Sequence, residues 1–586
     1  MAKITINGQT IKAKKGTSIL NAAKSIGIEI PTLCFIAEIN EIGFCRICVV
    51  EVEGEQDLVS ACNTEVANGM VIHTESEKVI NSRRTSLQLL ASKHRFDCWS
   101  CPKDGMCEFY DMLKEHNIVF EEFGPSKGRY PDQILGTAIS QDQTKWVLCK
   151  RCVAVCNEVV TARVLKFRDD DGLNPVVSPT PGLSFDESGC IGCGHCVQAC
   201  PTGTLFETEH IDPVEKLLKD RKTTVVAQMN EEAAVMLAEE FGYEVESTLA
   251  PDVKASYHAL ELIGFDEVVD INTAKDIHVL EQSNILMARL EKDVQSPLIT
   301  SHCPAAVRYT ELYNQEMIEN LAPNKSPHII QGALIKNLLA KKTLSQKAED
   351  VKVVSILSCN AAKAEIAREQ LAQNGVKDVD FVLTVRELAR MMKRRGHDLQ
   401  TVTASEPKGK LHTVLSNGTR YQGSRSTLEN VLNHTNKQLE GKDLAPIKYK
   451  VIAGDETKAS EGLIKEATVL VNGKKINIAV VNGGAKMRDF YKTLETTKKK
   501  YHYVEVMACP GACANGGGAP YNHDISTHEV IKNRLETLFD GQGDMTTNQA
   551  VKNTEKLYQE YLDKPGSGVV TKYFETTFSP KEFTKE

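Results

Sequence analysis

The chain has 586 residues, which is long enough for about four domains. Its 41% hydrophobic and 25% charged residues are ordinary for a soluble globular protein. The formal net charge of -8 provides no basic surface for phosphate groups, so we expect no nucleic-acid partner.

The amino terminus and the cysteine content together predict a cytoplasmic protein. The opening residues, MAKITINGQTIKAKKG, contain no apolar core of a signal peptide. No run of about eighteen apolar residues is present to span a bilayer, so we expect no membrane association. The 18 cysteines of this long chain are typical of metal ligands rather than disulfides, because the cytoplasm keeps thiols reduced.

Residues 1–78 are predicted to form a [2Fe-2S] ferredoxin-like domain of the β-grasp type. Alternating isoleucines around Asn7-Gly8 predict a hairpin, and Ser18 is the expected cap of a short helix. The four cysteines that follow have a long first gap and a tight central pair: Cys34, Cys45, Cys48 and Cys62. A loop that wraps a [2Fe-2S] cluster needs two ligands from a close pair and two from flanking segments. A zinc site made by the same four thiolates is the alternative.

Residues 79–118 are predicted to form a second metal module. A helix is expected over 81–90, and one histidine then precedes three closely spaced cysteines: His94, Cys98, Cys101 and Cys107. Three thiolates lack one ligand for a [4Fe-4S] cluster, and His94 supplies it. The alternative is a structural histidine without a metal. An imidazole ligand changes the charge of a cluster and therefore its reduction potential.

Residues 140–209 are predicted to form a two-cluster ferredoxin-like module. Its cysteines fall into two groups along the chain: Cys149, Cys152 and Cys156, then Cys190, Cys193, Cys196 and Cys200. In such modules the last cysteine of each group serves the other cluster, so Cys156 completes a cubane with the first three cysteines of the second group. Trp146 stands where the first thiolate of the first group is expected. Cys149, Cys152 and Cys200 therefore predict a [4Fe-4S] cluster with a non-cysteine ligand, a [3Fe-4S] cluster, or no cluster.

From about residue 220 to residue 586, alternating strand and helix patterns predict an α/β domain. Strands are expected over 223–228 and 351–357, and helices over 232–241, 385–394, 528–538 and 554–562. Cys303, Cys359 and Cys509 each follow a strand-like run, over 297–301, 351–358 and 503–508 respectively. Ligands of open α/β sheets bind at the carboxyl ends of strands, so we expect these thiolates to converge. The loop over 511–518 adds Cys513.

Each of these four cysteines lies in a recognisable segment. The chain has Thr300-Ser301-His302-Cys303-Pro304, then Leu357-Ser358-Cys359 with Ala362 and Glu365, then Glu505-Val506-Met507-Ala508-Cys509 through Cys513 to Gly516-Gly517-Gly518-Ala519-Pro520. Together with the amino-terminal modules, these segments resemble the catalytic subunit of [FeFe]-hydrogenases over essentially the whole chain. The motifs of that family are T-S-C-C-P, M-P-C-x-x-K-x-x-E and E-x-M-A-C-x-G-G-C-x-x-G-G-G-x-P. The fold class is therefore predicted as α+β and multidomain, with ferredoxin-like [2Fe-2S] and [4Fe-4S] modules before an α/β hydrogenase-like domain.

The resemblance implies a cubane held by Cys303, Cys359, Cys509 and Cys513. In the family, the residue at the position of Cys513 bridges this cubane to a two-iron centre with CO and cyanide ligands. Ala362 stands where the family has a lysine that holds a cyanide, and His302 replaces a thiol that relays protons. That lysine is a charge-assisted donor, and its loss removes about 1.5 to 3 kcal/mol of interaction.

Other differences affect the same region. The further relay positions of the family, Glu, Glu and Ser, are Gln282, Ile285 and Ala322 here, and neither isoleucine nor alanine passes a proton. Small-residue turns of the family are replaced by Asn230-Glu231-Glu232 and by Gln422-Gly423-Ser424-Arg425-Ser426. We therefore expect carboxylates and bulky side chains where the two-iron centre would lie, and we expect that centre to be absent.

These observations predict an iron-sulfur electron-transfer subunit with a plain [4Fe-4S] cluster in the α/β domain. The chain has no G-x-G-x-x-G motif after a strand, so nucleotide chemistry is expected in other subunits. The resemblance implies an electron-bifurcating complex with a flavin- and NAD-binding iron-sulfur subunit, a small [2Fe-2S] subunit and ferredoxin. In some such complexes a molybdenum or tungsten formate dehydrogenase is the further partner. The alternatives are a working or sensory [FeFe]-hydrogenase and a scaffold without redox function.

Overall fold

The structure is a computed structural model that describes residues 1–118, 134–168, 176–220, 222–243, 253–415, 426–455, 458, 461–496, 499–521, 534 and 554–584. Within these ranges no helix combines the length and apolar character needed to cross a membrane. The predicted bulky segment at 422–426, except for Ser426, and the predicted helix over 528–538, except for Arg534, lie outside the described residues.

Five strands form the first sheet: β1 (Ala2–Ile6), β2 (Gln9–Ala13), β3 (Val49–Val52), β4 (Val59–Ser60) and β5 (Val71–His73). Their order is β2-β1-β5-β3-β4, and β1 and β2 form an antiparallel hairpin in which Ile4 is opposite Ile11. Asn7 and Gly8 both have positive φ, as the predicted turn requires. The Ser18 side chain accepts from the Asn21 N–H at 3.2 Å and caps α1 (Ile19–Lys24). The predicted hairpin and helix cap are confirmed.

Short elements carry or flank the cysteines of the next segments: α2 (Glu77–Ala91), α3 (Glu108–Glu115), β6 (Ile139–Gln141), α4 (Arg151–Ala154), β7 (Lys166–Arg168), β8 (Val176–Ser178), α5 (His195–Ala199) and β9 (Leu205–Glu207). Strand β6 pairs with β9 and β7 with β8, both antiparallel. Because α4 contains Cys152 and α5 contains Cys196, each short helix brings one group of cysteines into the interior of this module.

The α/β domain contains the remaining elements: α6 (Ile211–Lys219), β10 (Thr224–Met229), α7 (Glu231–Glu240), α8 (Val253–Leu262), β11 (Glu267–Asp270), α9 (Asn272–Glu291), β12 (Leu298–Ile299), α10 (Pro304–Tyr313), α11 (Pro327–Leu334), β13 (Val351–Leu357), α12 (Ala362–Glu365), β14 (Ala372–Gln373), β15 (Val376–Lys377), β16 (Phe381–Thr384), α13 (Val385–Arg394), α14 (Lys410–Leu415), α15 (Thr427–Glu440), β17 (Lys450–Ala453), β18 (Leu463–Val471), β19 (Lys474–Asn482), α16 (Gly484–Thr496), β20 (Tyr503–Met507) and α17 (Gly568–Phe574).

Two larger sheets organise this domain. The first is parallel with the order β11-β10-β13-β16, and the second has the order β12-β20-β19-β18-β17, in which β12, β20 and β19 are parallel. Alternate residues of β13 face opposite sides of the first sheet. Val354 and Ile356 pack against α7, α8 and α13, whereas Val351 and Val353 pack against α11. The first sheet is therefore covered by helices on both faces, which is the arrangement expected for parallel strands.

Most predicted elements of this domain are confirmed. The strand over 351–357 and the helix over 385–394 have the predicted bounds, and the elements over 223–228 and 232–241 are displaced by one residue. The strand over 297–301 is shorter than predicted, as Leu298–Ile299, and the run over 554–562 ends in a π-helix, Tyr558–Leu562. The architecture confirms the multidomain fold class of iron-sulfur modules followed by an α/β domain.

A buried ion pair joins three elements of the first sheet's helical cover. Lys363 and Glu387 are fully buried, and the Lys363 Nζ lies 2.9 Å from a Glu387 carboxylate oxygen. The same carboxylate accepts from the backbone N–H of Thr384 at 2.8 Å and from that of His210 at 2.8 Å. Glu387 therefore connects α12, the start of α13 and the chain before α6.

Replacing Glu387 by glutamine is expected to destabilise the fold by about 3 to 5 kcal/mol, because the Lys363 charge then stays buried without a counter-ion. The measurement is the midpoint of urea unfolding of the anaerobically purified protein. Asp111→Asn, which breaks an exposed pair with Lys114, is the control and should leave the midpoint unchanged. An unchanged midpoint in Glu387→Gln would contradict the prediction.

Candidate metal centres

The thiols of the first domain are arranged as two pairs. The Cys34 thiol is hydrogen-bonded to Cys45, and the Cys48 thiol to Cys62. The hydrogen bond from Cys34 lowers the pKa of Cys45 to about 6, and the shared proton raises the pKa of Cys34. All four side chains are buried. Two pairs of thiolates fit a cluster of two irons, because each iron takes one pair.

Single-metal coordination is a different geometry. Among the described residues, no three His, Cys, Asp or Glu side chains lie close enough together to hold one metal ion. A zinc ion holds each sulfur ligand at about 2.3 Å, whereas a cluster spreads its ligands over two or more irons. The arrangement of Cys34, Cys45, Cys48 and Cys62 in two pairs is what a two-iron cluster needs.

In the second module, His94 follows α2, and Cys98, Cys101 and Cys107 precede α3. The Nδ1 atom of His94 is buried and has no hydrogen-bond partner among the described residues. Burial and the nearby Lys145 lower the pKa of His94 to about 4, so the ring is neutral, as a ligand must be. A Cβ at Gly203 would lie 2.3 Å from the Cys101 Sγ, so the glycine leaves room for this sulfur. These features fit the predicted cluster with one histidine and three cysteine ligands.

A cavity in the third module is lined by all four cysteines of the predicted ordinary cubane: Cys156, Cys190, Cys193 and Cys196. Its other walls are aliphatic or aromatic side chains such as Val164 and Phe185. The backbone N–H groups of Val164 and Gly192 donate to the sulfurs of Cys156 and Cys190, both at 3.3 Å. Such donors stabilise thiolates, so this cavity fits a fully cysteine-ligated [4Fe-4S] cluster.

A second cavity is lined by the three remaining thiols of the module and by Trp146. Cys149, Cys152 and Cys200 are all buried, and burial raises the pKa of Cys149 to about 12. Trp146 is 7% exposed, and its ring packs against Phe167 with 6.2 Å between centroids. The predicted three-thiolate group is therefore brought together, with an indole in place of the fourth ligand.

In the α/β domain the four predicted thiols converge as expected. Cys303 precedes α10, Cys359 follows β13, and Cys509 follows β20, so three of them lie at carboxyl ends of strands. The thiols of Cys303, Cys359 and Cys513 are close enough to act electrostatically on Cys509. Gly511 and Ala512 both have positive φ, 75° and 56°, and this sharp turn brings Cys513 back to the group. Four thiolates fit a [4Fe-4S] cluster here.

Direct contacts connect the neighbouring sites. The Asn40 side chain donates to the carbonyl of Cys34 at 2.7 Å and to that of Cys149 at 3.0 Å. The Cys107 Sγ lies 3.7 Å from the carbonyl of Pro201, next to Cys200. The two amino-terminal sites therefore both adjoin the three-thiolate site.

The four-cysteine cavity adjoins the four-thiol site of the α/β domain, which consists of Cys303, Cys359, Cys509 and Cys513. A Cβ at Gly517 would lie 1.9 Å from the Cys193 carbonyl oxygen, so only glycine allows this approach of the two backbones. Cys193 also acts electrostatically on Cys509. Cys152 of the three-thiolate site also acts electrostatically on Cys196 of the four-cysteine cavity. The order of contacts is therefore the two amino-terminal sites, the three-thiolate site, the four-cysteine cavity and the four-thiol site of the α/β domain.

Charged side chains lie beside Cys513. The Lys275 Nζ donates to both carboxylate oxygens of Glu232, at 3.2 and 3.3 Å, and both residues act electrostatically on the Cys513 thiol. Asn230 caps α7 by accepting from the Ala233 N–H at 3.0 Å, and Glu231 accepts from the Asn272 side chain at 3.3 Å. The predicted carboxylate beside this cysteine is thus present as Glu232, with a lysine as its counter-ion.

Lys363 does not replace the lysine that is absent at position 362. Its Nζ donates to the Val382 carbonyl at 2.8 Å and pairs with Glu387 on the far side of α12. Ala362 itself is fully buried and offers only a methyl group. Among the described residues, neither Ala362 nor Lys363 therefore offers the cyanide donor that the resemblance implies at this position.

A buried hydrogen-bonded row lies beside His302. Tyr503 donates its hydroxyl to the Gln282 side chain, whose amide donates to the Nε2 atom of His278 at 2.8 Å. The Nδ1 atom of His278 in turn donates to the Lys325 carbonyl at 3.1 Å. The rings of His278 and His302 are edge-on at 5.9 Å, and the His302 Nε2 lies 3.5 Å from a Glu505 carboxylate oxygen.

His278 and Tyr503 were not among the residues predicted from the sequence. The spacing of His278 and Gln282, one helical turn apart on α9, is a signal that could have connected them. The other two predicted relay positions are apolar in their surroundings as well, because Ala322 and Ile285 both belong to a cluster with Leu286 and Leu298.

Comparison with protein families assigns four segments of the chain. The C-terminal domain of the iron only hydrogenase large subunit matches residues 223–517. The 2Fe-2S iron-sulfur cluster binding domain matches residues 1–77, the NADH-ubiquinone oxidoreductase-G iron-sulfur binding region matches 83–120, and the 4Fe-4S dicluster domain matches 147–204.

Individual relatives agree with these assignments. The NADP-reducing hydrogenase subunit HndD of Solidesulfovibrio fructosivorans is 32% identical, over 96% of each chain. Iron hydrogenase 1 of Clostridium pasteurianum is 32% identical, over 97% of this chain and 98% of the relative. About a third of the chain is similar to the NADPH-Fe(3+) oxidoreductase subunit alpha of Geobacter sulfurreducens, 34% identical over 35% of this chain and 24% of the relative. A solved structure of [FeFe]-hydrogenase HydA1 from Chlamydomonas reinhardtii has the same fold over 64% of this chain and 99% of its own, with a TM-score of 0.57 and 22% identity.

The Gly203→Ala substitution is expected to remove the cluster of His94 and its three cysteines, because the added methyl would overlap the Cys101 sulfur. EPR and iron analysis of the reduced protein should show the loss of one cubane while the other clusters remain. Gly568→Ala is the matched control, since a Cβ there meets no atom within 4 Å. A full iron content in Gly203→Ala would show that this module does not hold a cluster at Cys101.

Proposed function

Because the chain belongs to the iron-only hydrogenase large-subunit family, we propose that it is an iron-sulfur electron-transfer subunit whose two-iron hydrogen site has been lost. The chain is an iron-sulfur oxidoreductase subunit related to NADP-reducing hydrogenase subunits. Bound clusters supply one-electron redox chemistry, and the thiolates described above hold them. The family relationship supports the iron-sulfur oxidoreductase role, whereas the loss of the hydrogen site is our proposal.

The observation that carries the proposal is the ion pair of Glu232 and Lys275 beside Cys513. In the family this neighbourhood accommodates anionic cyanide ligands. A carboxylate would repel them, and a lysine already paired with that carboxylate is a weaker donor to them. Ala362 removes the donor that holds a cyanide, and Lys363 is committed to Glu387. Charge and hydrogen-bonding capacity therefore both disfavour the two-iron centre.

The buried row next to His302 supports the same proposal. The Gln282 side chain is held by Tyr503 on one side and His278 on the other, and an amide does not release a proton at ordinary pH. Burial lowers the pKa of His278 to about 3, so this ring also stays neutral. Proton transfer to a reacting metal needs groups that exchange protons near neutral pH, and this row has none beyond His302.

A working or sensory hydrogenase is the second candidate. It is favoured by the retention of all four cubane cysteines and by His302, whose imidazole is able to carry a proton. The two candidates differ in a direct spectroscopic property, because CO and cyanide ligands are present only with the two-iron centre.

We infer further that the chain works in a cytoplasmic, electron-bifurcating complex that links formate, ferredoxin and NAD(H). Its partners would be a flavin- and NAD-binding iron-sulfur subunit, a small [2Fe-2S] subunit and a molybdenum or tungsten formate dehydrogenase. The support is the resemblance of the whole chain to subunits of such complexes, together with a chain of cluster sites that needs a donor and an acceptor. Formate-dependent reduction of NAD+ and ferredoxin by the purified complex, absent when either acceptor is omitted, tests this assignment.

Infrared spectroscopy of the anaerobically purified protein, produced together with hydrogenase maturation proteins, is expected to show no CO or cyanide stretching bands. Hydrogen evolution from a reduced viologen should be absent in the same sample. A hydrogenase matured in the same host is the positive control. Clear CO and cyanide bands from this protein would overturn the proposed loss of the hydrogen site.

Trp99 is the expected docking residue for an electron-transfer partner. It is 84% exposed, lies between Cys98 and Cys101, and belongs to the site whose three cysteines are all partly exposed. Exposed tryptophans are frequent hot spots of interfaces, with truncation costs of about 2 kcal/mol or more. Trp99→Ser should therefore slow electron transfer with the physiological partner about tenfold or more at limiting concentration.

The EPR spectrum of Trp99→Ser should be unchanged, because Trp99 is not a ligand. Leu470→Ser, at a residue 61% exposed on β18, is the matched control and should leave the rate unchanged. Equal rates for Trp99→Ser and the unmodified protein would place the docking surface elsewhere.

A further inference from the structure

The third module contains two cavities, one for each group of cluster ligands, and their linings differ. The first has four cysteines in its lining and the second has three, together with Trp146 and Gln141. The second cavity thus brings together thiolates for three irons.

We propose that Cys149, Cys152 and Cys200 hold a [3Fe-4S] cluster whose open corner is covered by Trp146. The inference deepens the proposed electron-transfer function and rests on it, but it does not depend on the loss of the hydrogen site. It differs from the two four-iron clusters that the dicluster family implies for residues 147–204.

The Trp146 side chain explains why a fourth iron is excluded. An indole has one N–H donor and no lone pair for a metal, so it cannot act as a ligand. Its bulk lies where the family has a thiolate, in a cavity where it is 7% exposed. A cubane would leave its fourth iron against the indole ring without a protein ligand, whereas a three-iron cluster has no iron at that corner.

An unpartnered donor supports this assignment. The Nε1 atom of Trp146 is buried and has no hydrogen-bond partner among the described residues. Buried donors normally have an acceptor. The sulfides around the open corner of a three-iron cluster bridge fewer irons than those of a cubane and are therefore better acceptors. The indole N–H donates to one of them in the proposed arrangement.

Among the described residues that line this cavity, only Gln141 has a side-chain oxygen without a hydrogen-bond partner. It is therefore the one competing ligand in that lining. Its Nε2 donates to the Val177 carbonyl at 2.5 Å, which leaves Oε1 buried without a partner. Iron in sulfide clusters is held by thiolate or imidazole ligands, and a neutral amide oxygen is a hard, weak ligand in comparison. The amide is therefore the weaker assignment, and it is tested separately below.

The position of this cluster gives it a role in routing. Asn40 joins the Cys34 and Cys149 backbones, and Cys107 contacts Pro201, so both amino-terminal sites adjoin the same cavity. The shortest path of contacts from either amino-terminal site to the four-cysteine cavity therefore passes through the site of Cys149, Cys152 and Cys200. Because cluster type is one determinant of reduction potential, a three-iron cluster at this junction sets the potential that both branches share.

The test is EPR spectroscopy and iron analysis of the full chain, purified without exposure to oxygen and then oxidised mildly. We expect the sharp, near-isotropic signal of an oxidised three-iron cluster at one spin per chain. In Trp146→Cys the added thiolate should capture a further iron, so the signal disappears and the iron content rises by one per chain. A protein with no three-iron signal, or a Trp146→Cys variant that keeps it, would overturn the proposal.

Three further variants identify the source of the signal. Cys149→Ser should abolish it, whereas Cys190→Ser, in the neighbouring cavity, should not, which excludes damage to an ordinary cubane. Trp146→Phe keeps the cover without the N–H, so the signal should remain while the reduction potential falls, because the sulfide loses a donor. An unchanged potential in Trp146→Phe would remove the hydrogen bond from the proposal.

Gln141→Leu should change neither the signal nor the iron content. If the unmodified protein holds four irons at this site and Gln141→Leu loses one, the amide is the ligand and the three-iron assignment is wrong. Failure of this proposal is distinct from failure of the proposed function. Infrared bands of CO and cyanide bear on the hydrogen site alone, whereas the EPR signal bears on Cys149, Cys152 and Cys200 alone.

Discussion

The meeting of four thiols from distant segments is the constraint on which the α/β domain depends. Cys303 and Cys509 follow neighbouring parallel strands of one sheet, and Cys359 follows a central strand of the other. Both sheets must therefore direct their carboxyl ends to one point. A slip of one residue in any of these strands would turn its side chains to the opposite face. The requirement that the four thiols meet therefore fixes the register of both sheets.

The environment of Cys513 is set independently of that constraint. Glu232 lies on α7, and Lys275 lies on α9, so their contact needs no change in either sheet. The two side chains are 28% and 22% exposed, so the pair is only partly desolvated and its two hydrogen bonds offset a smaller cost than in a fully buried pair. Such a pair beside Cys513 is consistent with the proposed loss of the two-iron centre. The four thiols and the charged side chains beside them are therefore held by different elements of the fold.

Cysteine spacing predicted which thiols the fold brings together, because ligand spacing is a local property of the sequence. The strand β13 and the helix α13 were also predictable from local patterns. The side chains that surround these sites could not be predicted in the same way. The sequence places Lys363 one residue after the expected lysine, and a step of about 100° around α12 decides that it meets Glu387 instead. Tyr503 and Gln282 are 221 positions apart, so only the tertiary structure shows their contact.

Glycines explain how the sites come so close to one another. A Cβ at Gly517 would overlap the Cys193 carbonyl, and a Cβ at Gly516 would lie 2.3 Å from the Ser358 carbonyl. Any side chain at these positions would push the loop of Cys513 away from both the ferredoxin-like module and β13. The rate of electron tunnelling falls steeply with distance. A shift of this loop would therefore slow electron transfer between the four-cysteine cavity and the four-thiol site of the α/β domain. The retention of this approach is what an electron-transfer role needs, whether or not hydrogen is a substrate.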